Sequence, residues 1–174
     1  MSGSNEKRHI FIDIETTGLQ PRFGHKIVEI ACFYNEQDGS KKIFQSRVNP
    51  SRDIPQNIVE IHGINNEMVR HSPRFIQIGQ ELLDFIGDGV LVGHNIRKFD
   101  IPFINFELNE ACLKKIDNEL ADTLEMFRKI FPGESASLDY VCQKFDIDLS
   151  ERMTHGALID AKLAAECFSR MTSF

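Results

Sequence analysis

A length of 174 residues with 41% hydrophobic and 26% charged content is ordinary soluble composition, enough for a full core burying about 70% of the unfolded surface. The net charge of −6 speaks against a protein that coats nucleic acid through surplus Lys and Arg, but leaves room for an enzyme that grips only a chain end. No apolar run approaches the roughly 18 residues of a membrane span, the polar start Ser2 to Arg8 is no signal peptide, and Cys32, Cys112, Cys142 and Cys167 read as reduced, mostly buried thiols of a cytoplasmic protein.

Residues 1–8 are expected to form a flexible tail and residues 9–174 one domain. The stretch His9-Ile10-Phe11-Ile12-Asp13-Ile14-Glu15-Thr16-Thr17-Gly18 opens that domain with a strand whose apolar neighbours place it inside a sheet. Asp13 and Glu15, two positions apart, project from one face of it. Ionised carboxylates are costly to bury unless something positive meets them. No Lys or Arg lies between Arg8 and Arg22, so a divalent metal is the natural partner. A loop to about Gly24 leads to a second strand, Lys26 to Tyr34, and Asp38-Gly39 marks a hairpin into a third strand near Lys42 to Val48.

A short helix around Gln56 to Ile61 ends at Gly63, and Ser72-Pro73 opens a longer one whose stripe Phe75, Ile78, Leu82, Phe85, Ile86 is closed by Gly87. Val90-Leu91-Val92-Gly93 is a short buried strand, followed by a helical stretch from about Arg97 to Asn109. A brief strand fits Leu120 to Asp122, and helices fit Leu124 to Ile130, Leu138 to Phe145 and Gly156 to Arg170. This order predicts an α/β fold: a mixed central sheet of about five strands flanked by helices.

Two further acidic clusters stand out. On the last helix, Asp160 falls in the sector of Ala164, Cys167 and Met171, opposite the wet side marked by Lys162, Glu166 and Ser169. An acid in an apolar stripe needs a partner. His155 cannot share that face, so it is placed in the loop entering the helix, from which its ring can swing towards Asp160. Asp100 follows the short strand Val90 to Gly93, at the sheet end where open α/β folds place ligands; it reads either as a site acid or as an N-cap before Pro102. Four converging carboxylates carry about −4 charge, which two divalent cations balance, and all-oxygen ligands favour Mg²⁺ or Mn²⁺. Such a pair suits in-line displacement at phosphorus, with a loop histidine titrating near neutrality as proton acceptor.

Asp13-Ile14-Glu15-Thr16-Thr17-Gly18, Gly93-His94-Asn95 through Phe99-Asp100, and His155-Gly156-Ala157-Leu158-Ile159-Asp160-Ala161 together resemble the three exonuclease motifs of the DEDDh family. Gly24 to Ile30, Ile61-His62-Gly63-Ile64 and Ser137-Leu138-Asp139 extend the likeness to the proofreading epsilon subunits of bacterial DNA polymerase III. The resemblance implies a ribonuclease-H-like fold and a 3′-to-5′ exonuclease releasing nucleoside 5′-monophosphates from single-stranded or frayed DNA, in proofreading or repair. It assigns Asp13, Glu15 and Asp160 to a first metal, Asp13 and Asp100 to a second, and His155 as general base. It also places Thr17, Gly18 and Leu19 against the terminal nucleotide, with His62 and Asn95 on the substrate side; Phe99 either presses on the penultimate base or anchors its motif in the core. Asp122 and Asp139 read as structural. A polymerase partner is implied by the resemblance, although the extension that usually binds it is not found after Phe174. An exoribonuclease acting on short RNA or RNA tails is the alternative, because selection of a 2′-hydroxyl depends on pocket contacts that motifs do not reveal.

Overall fold

In the computed structural model, which describes residues 7–173, the strand bearing the paired acids lies at the middle of the sheet. The strands are β1 (His9–Thr16), β2 (Ile27–Asn35), β3 (Lys41–Arg47), β4 (Val90–Gly93) and β5 (Leu120–Asp122), in the order β3-β2-β1-β4-β5. The helices are α1 (Gln56–His62), α2 (Asn66–Val69), α3 (Phe75–Ile86), α4 (Asp100–Glu110), α5 (Thr123–Ile130), α6 (Leu138–Lys144) and α7 (Ala157–Met171). Short connections make β1, β2 and β3 antiparallel, whereas β4 and β5 return through helices and run parallel to β1. The Asp38-Gly39 turn closes as its sequence requires: Gly39 sits at φ +83°, and the Glu36 N–H donates to the Ser40 carbonyl at 2.8 Å.

Alternation along β1 divides its side chains between two layers. Ile10, Ile12 and Ile14 enter a core shared with Phe75 and Leu82 of α3 and Phe103 and Ile104 of α4. Phe11 faces the other way, packing with Phe33, Val92 and Ala161 of α7. Asp13 and Glu15 continue that second row, so the acids point to the α7 side. Behind α7, its Leu163 and Cys167 pack on Phe127 of α5 and on Val141 and Cys142 of α6. β1 pairs with β2 through Glu15 but with β4 only from His9 to Phe11, so it is a central strand whose acids lie just past the end of the β4 ladder.

Most expected elements match within a residue or two, and the exceptions have visible causes. The stretch expected to be helical from Arg97 begins as α4 only at Asp100. The Asp122 carboxylate accepts from the Asn95 and Arg97 N–H groups at 3.0 and 3.2 Å, and Asn95 takes a left-handed φ of +63°, so the chain stays a loop up to Phe99. Phe99 therefore occupies the cap position and Asp100 the first turn, which removes the N-cap reading of Asp100. The short α2 was not expected; the Asn65 side chain caps it by accepting from the Met68 N–H at 3.0 Å. Of the expected flexible tail, residues 1–6 lie outside the described residues. Arg8 is held, its carbonyl accepting from the Val90 N–H at 2.8 Å and its guanidinium 3.9 Å from the centre of the Tyr34 ring. Among the described residues no helix is long and apolar enough to cross a membrane.

Candidate active site

Three elements and one loop bring the acids to a single place. The ladder between β1 and β2 is regular from Phe11 to Glu15, pairing Asp13 with Ala31 and Glu15 with Glu29, and then shifts register between Glu15 and Thr16. Such a bulge turns the chain out of the ladder and into the Thr16–Gly18 turn. From α7, Asp160 reaches the acid row of β1. Glu15, His155 and Asp160 each offer a ligand atom within 4.8 Å of the others. Asp100, only 1% exposed, enters from the first turn of α4, and its Oδ1 is buried with no hydrogen-bond partner among the described residues. Asp13, Asn95, His155 and Asp160 line a common cleft of about 560 Å³ that also takes in His94 and Arg152.

The electrostatics of this cluster are those of an acid group short of positive charge. Desolvation, helped by Asp100, Glu15 and Asp160, raises the Asp13 carboxyl well above the ordinary carboxylate range. Glu15 is pushed up to about 8, first by burial and then by Asp160, Glu29 and Asp100. Asp100 also rises to about 8, mainly through burial, although backbone hydrogen bonds at Asp100 and Ile14 pull the other way. Asp160 alone of the four is lowered: burial works against it, but the hydrogen bonds from Arg152, with the His155 ring 3.2 Å away, outweigh that. A buried unpartnered carboxylate oxygen beside mutually repelling acids is the donor set of a hard divalent cation, oxygen-rich with one histidine nearby. The residues present fit that group.

Arg152 is the residue that reading the sequence missed. Its Nε and Nη2 donate to Oδ1 and Oδ2 of Asp160, both at 2.7 Å, in a fork-to-fork contact. Nη2 also donates to His155 Nδ1 at 2.9 Å, while Nη1 pairs with the Asp139 carboxylate. The absence of a cation near Asp13 along the chain is thus corrected in space by an arginine more than a hundred positions away. Asp139, read as structural, belongs to the same network. Glu29 was missed as well; buried opposite Glu15, it accepts from the Ala157 N–H at 3.0 Å and so holds the first turn of α7, where Asp160 resides.

The turn after β1 is tightly braced. Thr17 is fully buried, its hydroxyl accepting from the Lys26 N–H at 3.0 Å and lying 3.3 Å from His25 Nδ1. A Cβ on Gly18 would stand 2.3 Å from the His25 ring, so any other residue here requires that ring to move. Leu19 follows at 77% exposure. His62 is buried with both ring nitrogens engaged: Nδ1 accepts from the Ile64 N–H at 3.0 Å and Nε2 lies 3.3 Å from the Thr16 carbonyl. The ring thus braces the end of β1. Phe99 packs on Phe103 with tilted rings whose centres are 5.2 Å apart, against the main core, which favours the anchoring role. His94 bridges the Thr123 hydroxyl and the Ala136 carbonyl, at 2.9 and 2.8 Å.

Comparison with known proteins agrees with this geometry. A family profile described as “Exonuclease” matches residues 10–168. The DNA polymerase III subunit epsilon of Rickettsia felis is 42% identical over 175 residues, covering 95% of this chain and 74% of that one. In structure the chain is similar to Exonuclease X in complex with 5′ overhanging duplex DNA, with a TM-score of 0.71, 24% identity, and coverage of 95% of this chain and 91% of that one. It is also similar to a 3′-exonuclease solved for 3′-end specific recognition of a histone mRNA stem-loop, with a TM-score of 0.79, 19% identity, and coverage of 98% and 84%. These two likenesses show the ribonuclease-H-like fold. By sequence and architecture together, the chain belongs to the exonuclease family and is a 3′-to-5′ exonuclease of the DEDDh kind, related to the epsilon subunits of DNA polymerase III.

Proposed function

We propose that residues 9–174 form one exonuclease domain that removes nucleotides from the 3′ end of single-stranded or frayed DNA and releases nucleoside 5′-monophosphates. The supporting observation is the mutual charge repulsion of Asp13 and Glu15 from β1, Asp100 from α4 and Asp160 from α7, with the Asp100 Oδ1 buried and unpartnered among the described residues. Asp13, Glu15 and Asp160 would hold one Mg²⁺ or Mn²⁺, and Asp13 with Asp100 a second. Bound together, such ions neutralise charge that develops at phosphorus and lower the pKa of an attacking water.

The chain's own residues do the rest. His155, exposed in the loop before α7, is placed to take the proton of the attacking water, within reach of Asp160. Thr17 and Gly18 present the turn backbone to the terminal nucleotide, and exposed Leu19 can wedge beside its base. Asn95 lines the same cleft. A mismatched terminus is easier to unpair than a matched one, so fraying alone gives proofreading selectivity. The kinship with subunits named for DNA polymerase III favours DNA and a polymerase partner.

The test is degradation of matched 3′-tailed DNA and RNA oligomers with EDTA, Mg²⁺ or Mn²⁺. Hydrolysis of DNA that EDTA abolishes and either metal restores is expected. Much faster turnover of RNA would replace DNA by the exoribonuclease alternative, and metal-independent hydrolysis would overturn the site.

A further inference from the structure

We propose that Arg152 is a built-in counter-cation of the acid cluster, passed from Asp160 to Asp139 when a divalent cation enters. This rests on the metal reading given above and goes beyond it. The Arg152 side chain is only 8% exposed, and its guanidinium engages Asp160 through both carboxylate oxygens at 2.7 Å. A fork of this kind uses the lone pairs that a cation would otherwise take. Fixed positive charge this close also repels a cation at the same carboxylate. Removing Arg152 from the cluster outright would strand a buried charge, which is strongly disfavoured.

The geometry contains a second berth. Nη1 is already paired with Asp139 in the first turn of α6, and the side chain of Asp139 is half exposed. Nε and Nη2 can therefore leave Asp160 while Nη1 keeps a carboxylate partner. Arg152 lies in the α6–α7 connection, outside any helix or strand, so the exchange requires no change in the sheet. His155 is carried along. Its Nδ1 accepts from the same Nη2 at 2.9 Å, so release of the guanidinium also frees the imidazole. Loading of the site and release of its proton acceptor become one event.

The experiment is titration of Mn²⁺ alone into the full chain, without nucleic acid, read by electron paramagnetic resonance of the free ion and by the thermal melt. Three variants are compared with the parent: Arg152→Met, Asp139→Asn and the double variant. Arg152→Met is expected to bind Mn²⁺ about tenfold or more tightly, the direction Coulomb repulsion dictates. Its metal-free melt should fall and the stabilisation by Mn²⁺ should grow. Asp139→Asn removes the second berth and is expected to weaken Mn²⁺ binding severalfold, an effect that vanishes when Arg152 is already Met. Should Arg152→Met not fold, Asp139→Asn still decides, because it leaves the arginine and all four acids in place. Weaker or unchanged binding in Arg152→Met, or unchanged binding in Asp139→Asn, overturns the exchange. Absence of Mn²⁺ binding by the parent would instead sink the metal reading itself, and this inference with it.

Discussion

Asp13 illustrates how one side chain can serve chemistry at the expense of stability. Desolvation and three neighbouring acids oppose its ionisation, so Asp13→Asn should abolish metal-dependent hydrolysis while raising the melting temperature of the metal-free protein. Both readouts are needed: an inactive variant that also melts lower would mean a damaged fold. His155→Ala should lose roughly 10²–10⁴ in kcat with little change in KM, the usual scale for a general base. A change confined to KM would make His155 a contact residue. At this scale the acids were legible in the sequence because each contradicts its surroundings: Asp13 and Glu15 interrupt an apolar strand, and Asp160 interrupts an apolar helical stripe. Arg152 was not legible. A lone arginine in a polar segment looks like any surface residue until folding lays it on Asp160, and its distance along the chain from Asp13 hides it as a counter-charge. The motif around His62 suggests a substrate contact, whereas the fold buries the ring between the Ile64 N–H of its own segment and the Thr16 carbonyl at the end of β1.

Elements position the site through two devices, the braced turn after β1 and the capped start of α7. Because the His25 ring fills the space a Cβ would need, Gly18→Ala should displace that turn and lower activity, and a second change, His25→Ala, should restore part of the loss. No recovery in the double variant would show that the ring is not the obstacle. At α7, Glu29→Ala leaves the Ala157 N–H without its carboxylate acceptor, which should cost about 1–3 kcal/mol of stability. Amide exchange in the first turn of α7 should accelerate as well, and unaltered protection there would contradict the capping role. Strands and helices were readable from periodicity and from turn residues such as Asp38-Gly39 and Gly63. The sequence pattern starts α4 too early because the Asp122 carboxylate, more than twenty residues ahead, takes hydrogen bonds from the segment before Asp100. A capping contact from that distance leaves no periodic trace.

For the whole molecule, the raised acids make metal-free stability depend on pH in a defined direction. Glu15 moves from 4.5 to about 8 on folding, so the folded state holds its proton where the unfolded chain has lost it. Stability therefore falls as pH rises from about 4.5 towards 8, the reverse of a salt-bridged carboxylate, and Asp100 acts in the same sense. Chemical denaturation of EDTA-treated protein at pH 5 and pH 8 should show this decline, and saturating Mg²⁺ should largely erase it. A flat profile without metal would mean that Arg152 already satisfies the acids.

Two kinds of backbone meet at the site. Asp13 belongs to a strand paired within the sheet, whereas Arg152 and His155 belong to a connection joined to the body by few main-chain contacts, among them the His155 N–H to the Ile61 carbonyl at 3.2 Å. Excursions of that connection need not disturb β1. Limited proteolysis should accordingly nick the segment around exposed Met153 first, leaving a particle that keeps its secondary structure and yet turns over nothing. Durability and competence would then decay on separate clocks.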